Sequence, residues 1–240
     1  MRWMVVLAIL GLAACDVSVP QSGGQSAPQV ALPAPSAGSP MAATQADAAF
    51  ARVARTVEPV AEQECARLTR GVNCDYLIQV DTRPDAPSNA FQSLDPSGRP
   101  VITFTASLIR EAHNIDELAF VMGHEAAHHI AGHIPRQQRN AIAGAVILGG
   151  LAALTGLDTS GVESAQRIGA TVGSRTYSKE YELEADRLGT VIALRAGYDP
   201  LIGARFFTRI PDPGNRFLGS HPPNAARYQT VVNTMAELRG

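Results

Sequence analysis

The segment His124-Glu125-Ala126-Ala127-His128 places two imidazoles and a carboxylate within one short stretch of chain. On a helix, residues four apart differ by about 40° around the axis, so both rings can reach a single ion. Glu125 stands between them, where a base for an attacking water belongs. This is the H-E-x-x-H pattern, whose chemistry is metal-assisted hydrolysis of a peptide bond. A zinc site open to substrate needs three protein ligands. The third is sought in Glu180-Tyr181-Glu182-Leu183-Glu184-Ala185-Asp186, where three glutamates compete and spacing alone leaves the choice open. One helical turn separates Asp186 from Glu182, so Asp186 can accept an N–H from a liganding histidine.

His129 and His133 fall on the Glu125 side of the same helical pattern and read as structural residues. A metzincin would carry its third histidine one position beyond His133, so that class is rejected. Glu180 and Glu184 read as solvated charges on a helix face.

The elements that must carry these residues follow from periodicity and punctuation. Asn114 with Glu117 three residues later is a helix start, and that helix is expected to run to about His133, ahead of Pro135. A helix over about 44–70 is expected earlier, capped at Thr44, kinked at Pro59 and stopped by Gly71. Strands are expected at 75–80, around Asn89-Ala90-Phe91, and at 101–105, with a turn at Asp95-Pro96-Ser97-Gly98. Helices are expected over about 137–156, 161–174, 178–196, 200–208 and 223–238. The fold class is therefore α+β and predominantly helical.

The two motifs together resemble the zinc metallopeptidase family of the CAAX prenyl protease, HtpX and BepA. In that family the second motif is E-x-x-A-D, and its glutamate is the third zinc ligand. The match here is Glu182-Leu183-Glu184-Ala185-Asp186, which implies Glu182 as ligand and Asp186 as its supporting carboxylate. The resemblance covers roughly residues 47–240. It implies a gluzincin-type domain with a small β-sheet beside the H-E-x-x-H helix, one Zn²⁺ per chain, and Glu125 as general base. It further implies that Asn89, Ala90 and Phe91 border an edge strand able to pair with extended substrate. A third matching stretch is Ser220-His221-Pro222-Pro223, with Arg227 beyond it. His221 is implied to act near the metal, either by stabilising an oxyanion or by holding the enzyme latent.

The N-terminus suggests where such an enzyme works. Arg2 precedes an uncharged, mostly apolar run from Trp3 to Ala14, too short to span a bilayer and of signal-peptide length. It ends in Leu12-Ala13-Ala14-Cys15, which resembles a bacterial lipobox and implies a lipid on Cys15. The expected organisation is a signal peptide at 1–14, a lipidated tether at 15–46 and a metallopeptidase domain at 47–240. The tether is rich in Pro, Ser, Gly and Ala, and carries no charge between Asp16 and Asp47. Cys65 and Cys74, close together in an exported chain, read as a disulfide.

The 240-residue chain has a formal charge of −2 and a pI of about 6.3, so nucleic acid is not an expected partner. Ala141 to Leu157 is uncharged and rich in Gly and Ala; it is expected to form a buried or partly mobile helix beside the site. The expected function is a membrane-tethered zinc endopeptidase of the cell envelope, facing the periplasm. Its expected substrates are extended or unfolded proteins that are damaged or misassembled, and envelope assembly machinery is a candidate partner. The rival reading is a largely latent chaperone or a zinc-containing binding module.

Overall fold

The computed structural model describes residues 31–34, 38–175, 178–214 and 221–240. The apolar N-terminal run, Cys15 and Ser220 lie outside them. The order is α1 (Ala43–Leu68), β1 (Leu77–Asp81), β2 (Ala90–Leu94), β3 (Pro100–Thr105), α2 (Ala106–Glu111), α3 (Ile115–Ile130), α4 (His133–Leu154), α5 (Thr159–Arg175), α6 (Ser178–Arg195), α7 (Pro200–Gly203), a 3-10 helix (Ala204–Thr208) and α8 (Asn224–Arg239).

Helix α1 buries Ala46, Ala49, Phe50, Val53, Val57, Ala61 and Cys65, one stripe at helical spacing. That stripe packs on α3 and on β3, where Phe50 and Phe104 lie with ring centroids 5.1 Å apart. The helix starts at Ala43, with no side-chain cap from Ala42 or Thr44. It runs on through Pro59, whose exposed position lets the freed carbonyl reach solvent. Just ahead of it, the Met41 amide donates to Ala112 O and Leu32 packs on an apolar cluster. The end of the expected tether is thus docked on the domain. Cys65 and Cys74 are joined as a disulfide, with Cα atoms 5.7 Å apart.

The sheet has the order β1-β3-β2, with β1 parallel to β3 and β2 antiparallel to it. Strand β3 is buried along its whole length. Among the described residues strand β2 pairs with another strand on one side only, and the sheet packs beside α3 as expected of the fold class.

Helix α3 carries the H-E-x-x-H motif through the core. Asn114 accepts from the Glu117 amide, the helix cap expected from the sequence, and Glu117 accepts from the amide of His113, one residue before the cap. Arg209 pairs with Glu117 at 2.6 Å. The helix ends earlier than expected. Gly132, at φ +64, breaks it in the left-handed conformation that glycine tolerates. His133 then opens α4, and Pro135 sits in its first turn, where no intrahelical N–H is lost.

Helices α4 and α5 form a hairpin closed by small residues. A Cβ on Gly144 would fall 2.0 Å from Gly169 O, so only glycines allow this approach. The outer face of α4 is aliphatic and exposed: Val146 is 67% and Leu154 86% accessible. Burial, one of the two expectations for 141–157, is not met. Facing α5 buries only small residues, and the large aliphatics point outward. No helix among the described residues is long and apolar enough to cross a membrane.

Candidate metal centre

The centre forms where α3 crosses α6. A Cβ on Gly123 would meet Gly189 O at 2.8 Å, so the two backbones nearly touch. That closeness brings Glu182, about two turns before Gly189 on α6, to the histidines of α3. His124 Nε2 lies 3.6 Å from Glu182 Oε2, and His128 Nε2 lies 3.5 Å from Glu182 Oε1. The two Nε2 atoms are 3.0 Å apart. Among the described residues these three offer donor atoms all within 4.8 Å of one another. Bonds of about 2 Å in a tetrahedron require donors roughly 3.3 Å apart.

Two imidazole nitrogens and one carboxylate oxygen, open to a cavity on one side, are a donor set suited to Zn²⁺. The electrostatics agree. Burial works against charge on His124, but the Asp186 and Glu182 carboxylates outweigh it and raise its pKa to about 10. Burial also opposes ionisation of Glu182, yet His124 and His221 hold it well below the usual carboxylate range. Burial drives His128 well below its ordinary value, and the charge of His124 adds to this. The residues present fit a cation.

Glu125 is nearly buried and faces the same cavity of about 570 Å³. Burial lifts its pKa; His124 opposes this, Glu182 adds to it, and the result is about 7. The main chain of Gln92 on β2 also bonds to Glu125. Asn89, Ala90 and Phe91 line the cavity, so β2 borders the centre.

Asp186 lies behind His124 and does not line the cavity. Its Oδ1 is 2.9 Å from His124 Nδ1 and 2.6 Å from Arg227. It is fully buried. Asp186 thus stands behind His124, where a supporting carboxylate belongs. Arg227 is itself buried, with its guanidinium 4.2 Å over the Phe207 ring and 3.5 Å from Glu182. His221 does reach the centre: its Nδ1 is 3.1 Å from Glu182 Oε2, with about half of the side chain exposed.

Sequence reasoning missed His133 and Glu184. His133 belongs to α4, its Nδ1 is 2.8 Å from His128 Nδ1, and its Nε2 is 3.1 Å from Glu184 Oε2. Arg136 also donates to Glu184 at 2.7 Å, so this carboxylate is not merely solvated. Only recognising Gly132 as a helix stop would have moved His133 off the helical row. His129, by contrast, is structural as expected: it bonds Asn73 O at 2.7 Å and meets the Tyr76 ring edge-on.

The chain is similar in sequence to known proteins. It is 30% identical over 160 residues to the beta-barrel assembly-enhancing protease of Escherichia coli, covering 58% of this chain and 31% of that protein. It is 30% identical over 145 residues to the beta-barrel assembly-enhancing protease of Yersinia pestis, covering 58% of this chain and 30% of that protein. The matched region is thus less than a third of the relatives' length. The profile of peptidase family M48 matches residues 47–235, and the chain belongs to that family.

Proposed function

We propose that this chain is a zinc-dependent endopeptidase of the bacterial cell envelope, with His124, His128 and Glu182 as metal ligands. The convergence of those three donors beside Glu125 carries the reading. Zinc, when bound, supplies a Lewis acid for the scissile carbonyl and for the attacking water. Glu125 takes a proton from that water and delivers it to the leaving amine. Asp186 holds His124 in orientation, and Arg227 balances the Asp186 charge. The edge of β2 away from β3 offers backbone groups to an extended substrate, which favours unfolded chains over folded ones.

The name of the relatives suggests a place near β-barrel assembly, with misassembled envelope proteins as substrates. The lipobox-like Cys15 suggests a lipid tether; its loss in Cys15→Ser is expected to abolish lipidation, read by metabolic labelling with palmitate. His221 contacts Glu182 on the cavity side, which favours a site held partly latent.

The test is casein hydrolysis by the purified chain with and without chelator, alongside zinc analysis. One zinc per chain is expected in wild type and in Glu125→Gln, and little in His128→Ala. Glu125→Gln should lose hydrolysis by at least roughly 100-fold, since it removes only the base. Equal zinc in His128→Ala, or full turnover in Glu125→Gln, defeats the assignment.

A further inference from the structure

The two candidate histidine ligands are supported from behind in different ways. His124 leans on the carboxylate of Asp186. His128 Nδ1 instead meets another imidazole, that of His133, at 2.8 Å. His133 is 5% exposed. Its far nitrogen meets Glu184, and its ring stacks on Tyr181 at 4.6 Å with 12° between the planes. Tyr181 in turn lies under the Arg136 guanidinium at 4.2 Å and accepts from Asn140 through its hydroxyl.

The proton positions in this chain of contacts follow from its two ends. His128 Nε2 points at His124 Nε2 and Glu182, so it is the nitrogen free to bind a cation. The proton of neutral His128 then sits on Nδ1. Nδ1–H donates to His133 Nδ1, which must accept. His133 therefore carries its proton on Nε2 and donates it to Glu184, an acceptor-only group. Every donor meets an acceptor, and the chain ends on a carboxylate that Arg136 also holds.

We propose that His133 is a positioning residue for the metal centre, fixing the ring orientation and tautomer of His128 through a relay from His128 to His133 to Glu184. The proposal rests on His128 as a ligand. It gives a role to a histidine that is neither a ligand nor part of the H-E-x-x-H helix. The relay joins three helices, because His128 is on α3, His133 on α4 and Glu184 on α6. Gly132 makes it possible: its left-handed turn swings His133 back towards His128, a path a continuous helix would not take.

The test compares the full chain with His133→Phe and His133→Asn. Phenylalanine keeps a ring to stack on Tyr181 but offers no acceptor. Asparagine places an oxygen near the former Nδ1. Zinc competition with a chromophoric chelator should show affinity falling roughly 10–100-fold in His133→Phe and substantially recovering in His133→Asn. Equal zinc affinity in wild type and His133→Phe overturns the relay, as does equal loss in both variants. A second readout needs no metal. Ring ¹⁵N spectra of the metal-free chain should show His128 protonated at Nδ1 in wild type and as a tautomer mixture in His133→Phe. An Nε2–H tautomer in wild type overturns the relay even if the chain binds no zinc, whereas absence of zinc binding alone defeats the ligand assignment.

Discussion

The backbone of His124 leaves no room for a side chain on Gly189: a Cβ there would lie 2.8 Å from the His124 nitrogen and 2.9 Å from its Cα. The distance between the two motif helices, and hence between Glu182 and the histidines, is set at this contact. Gly189→Ala must push α6 away from α3, because backbone atoms cannot rotate aside. The expected result is destabilisation of about 1–3 kcal/mol and weaker zinc binding. Thermal unfolding of the metal-free variant and chelator competition check both. An unchanged melting temperature with unchanged zinc affinity would mean the crossing has slack.

His221 stands on the exposed side of Glu182, where substrate would approach. If it holds the site closed, His221→Ala should raise peptide hydrolysis at matched zinc occupancy. A drop in kcat by roughly 100-fold would instead identify an oxyanion donor. Peptide turnover by wild type and variant decides between them, with zinc measured in each sample.

The disulfide between Cys65 and Cys74 ties the end of α1 to the approach to β1. Closing so short a loop contributes about 2–3 kcal/mol on the chain-entropy model. The double variant Cys65→Ser, Cys74→Ser should lose about that much stability in urea unfolding. Its zinc content should not change, because neither cysteine borders the centre. Loss of zinc in a chain that is still folded would contradict the separation of these two sites.

Glu64 is almost fully buried on α1 and pairs with Arg67 at 2.6 Å and with Arg195 of α6. Burial opposes its ionisation, but the two guanidiniums outweigh burial and hold its pKa below the ordinary value. The unfolded chain therefore binds this proton first as pH falls. The stabilisation is complete above the unfolded value of about 4.3 and is lost as pH drops through the lower folded value. Glu64→Gln should be less stable than wild type at pH 7, and the gap should close towards pH 3. Urea unfolding at both pH values measures it; a gap independent of pH would assign the loss to packing.

Much of this protein was legible because it is local. The H-E-x-x-H spacing needs only helical periodicity to put His124 and His128 on one side of a helix. The Asn114–Glu117 cap is a three-residue relationship, and the stripe on α1 can be read residue by residue. Glu182 was different: spacing left three glutamates open, and only the resemblance of a second motif singled one out. Family membership then followed from the wider match.

What only the tertiary structure decided lies across helix crossings and turns. Glycine at 123 and 189 reads in sequence as a weak helix former, yet it sets how close Glu182 comes to the histidines. His133 reads as a continuation of the motif helix until Gly132 is seen to break it. The outer face of α4 reads as buried because it is apolar, and nothing in the sequence says that its partner helix covers the opposite side. Hydrophobic pattern and motif spacing record which groups share one element. Contact between elements depends on backbone approach and turn geometry, and these are fixed only when the helices pack.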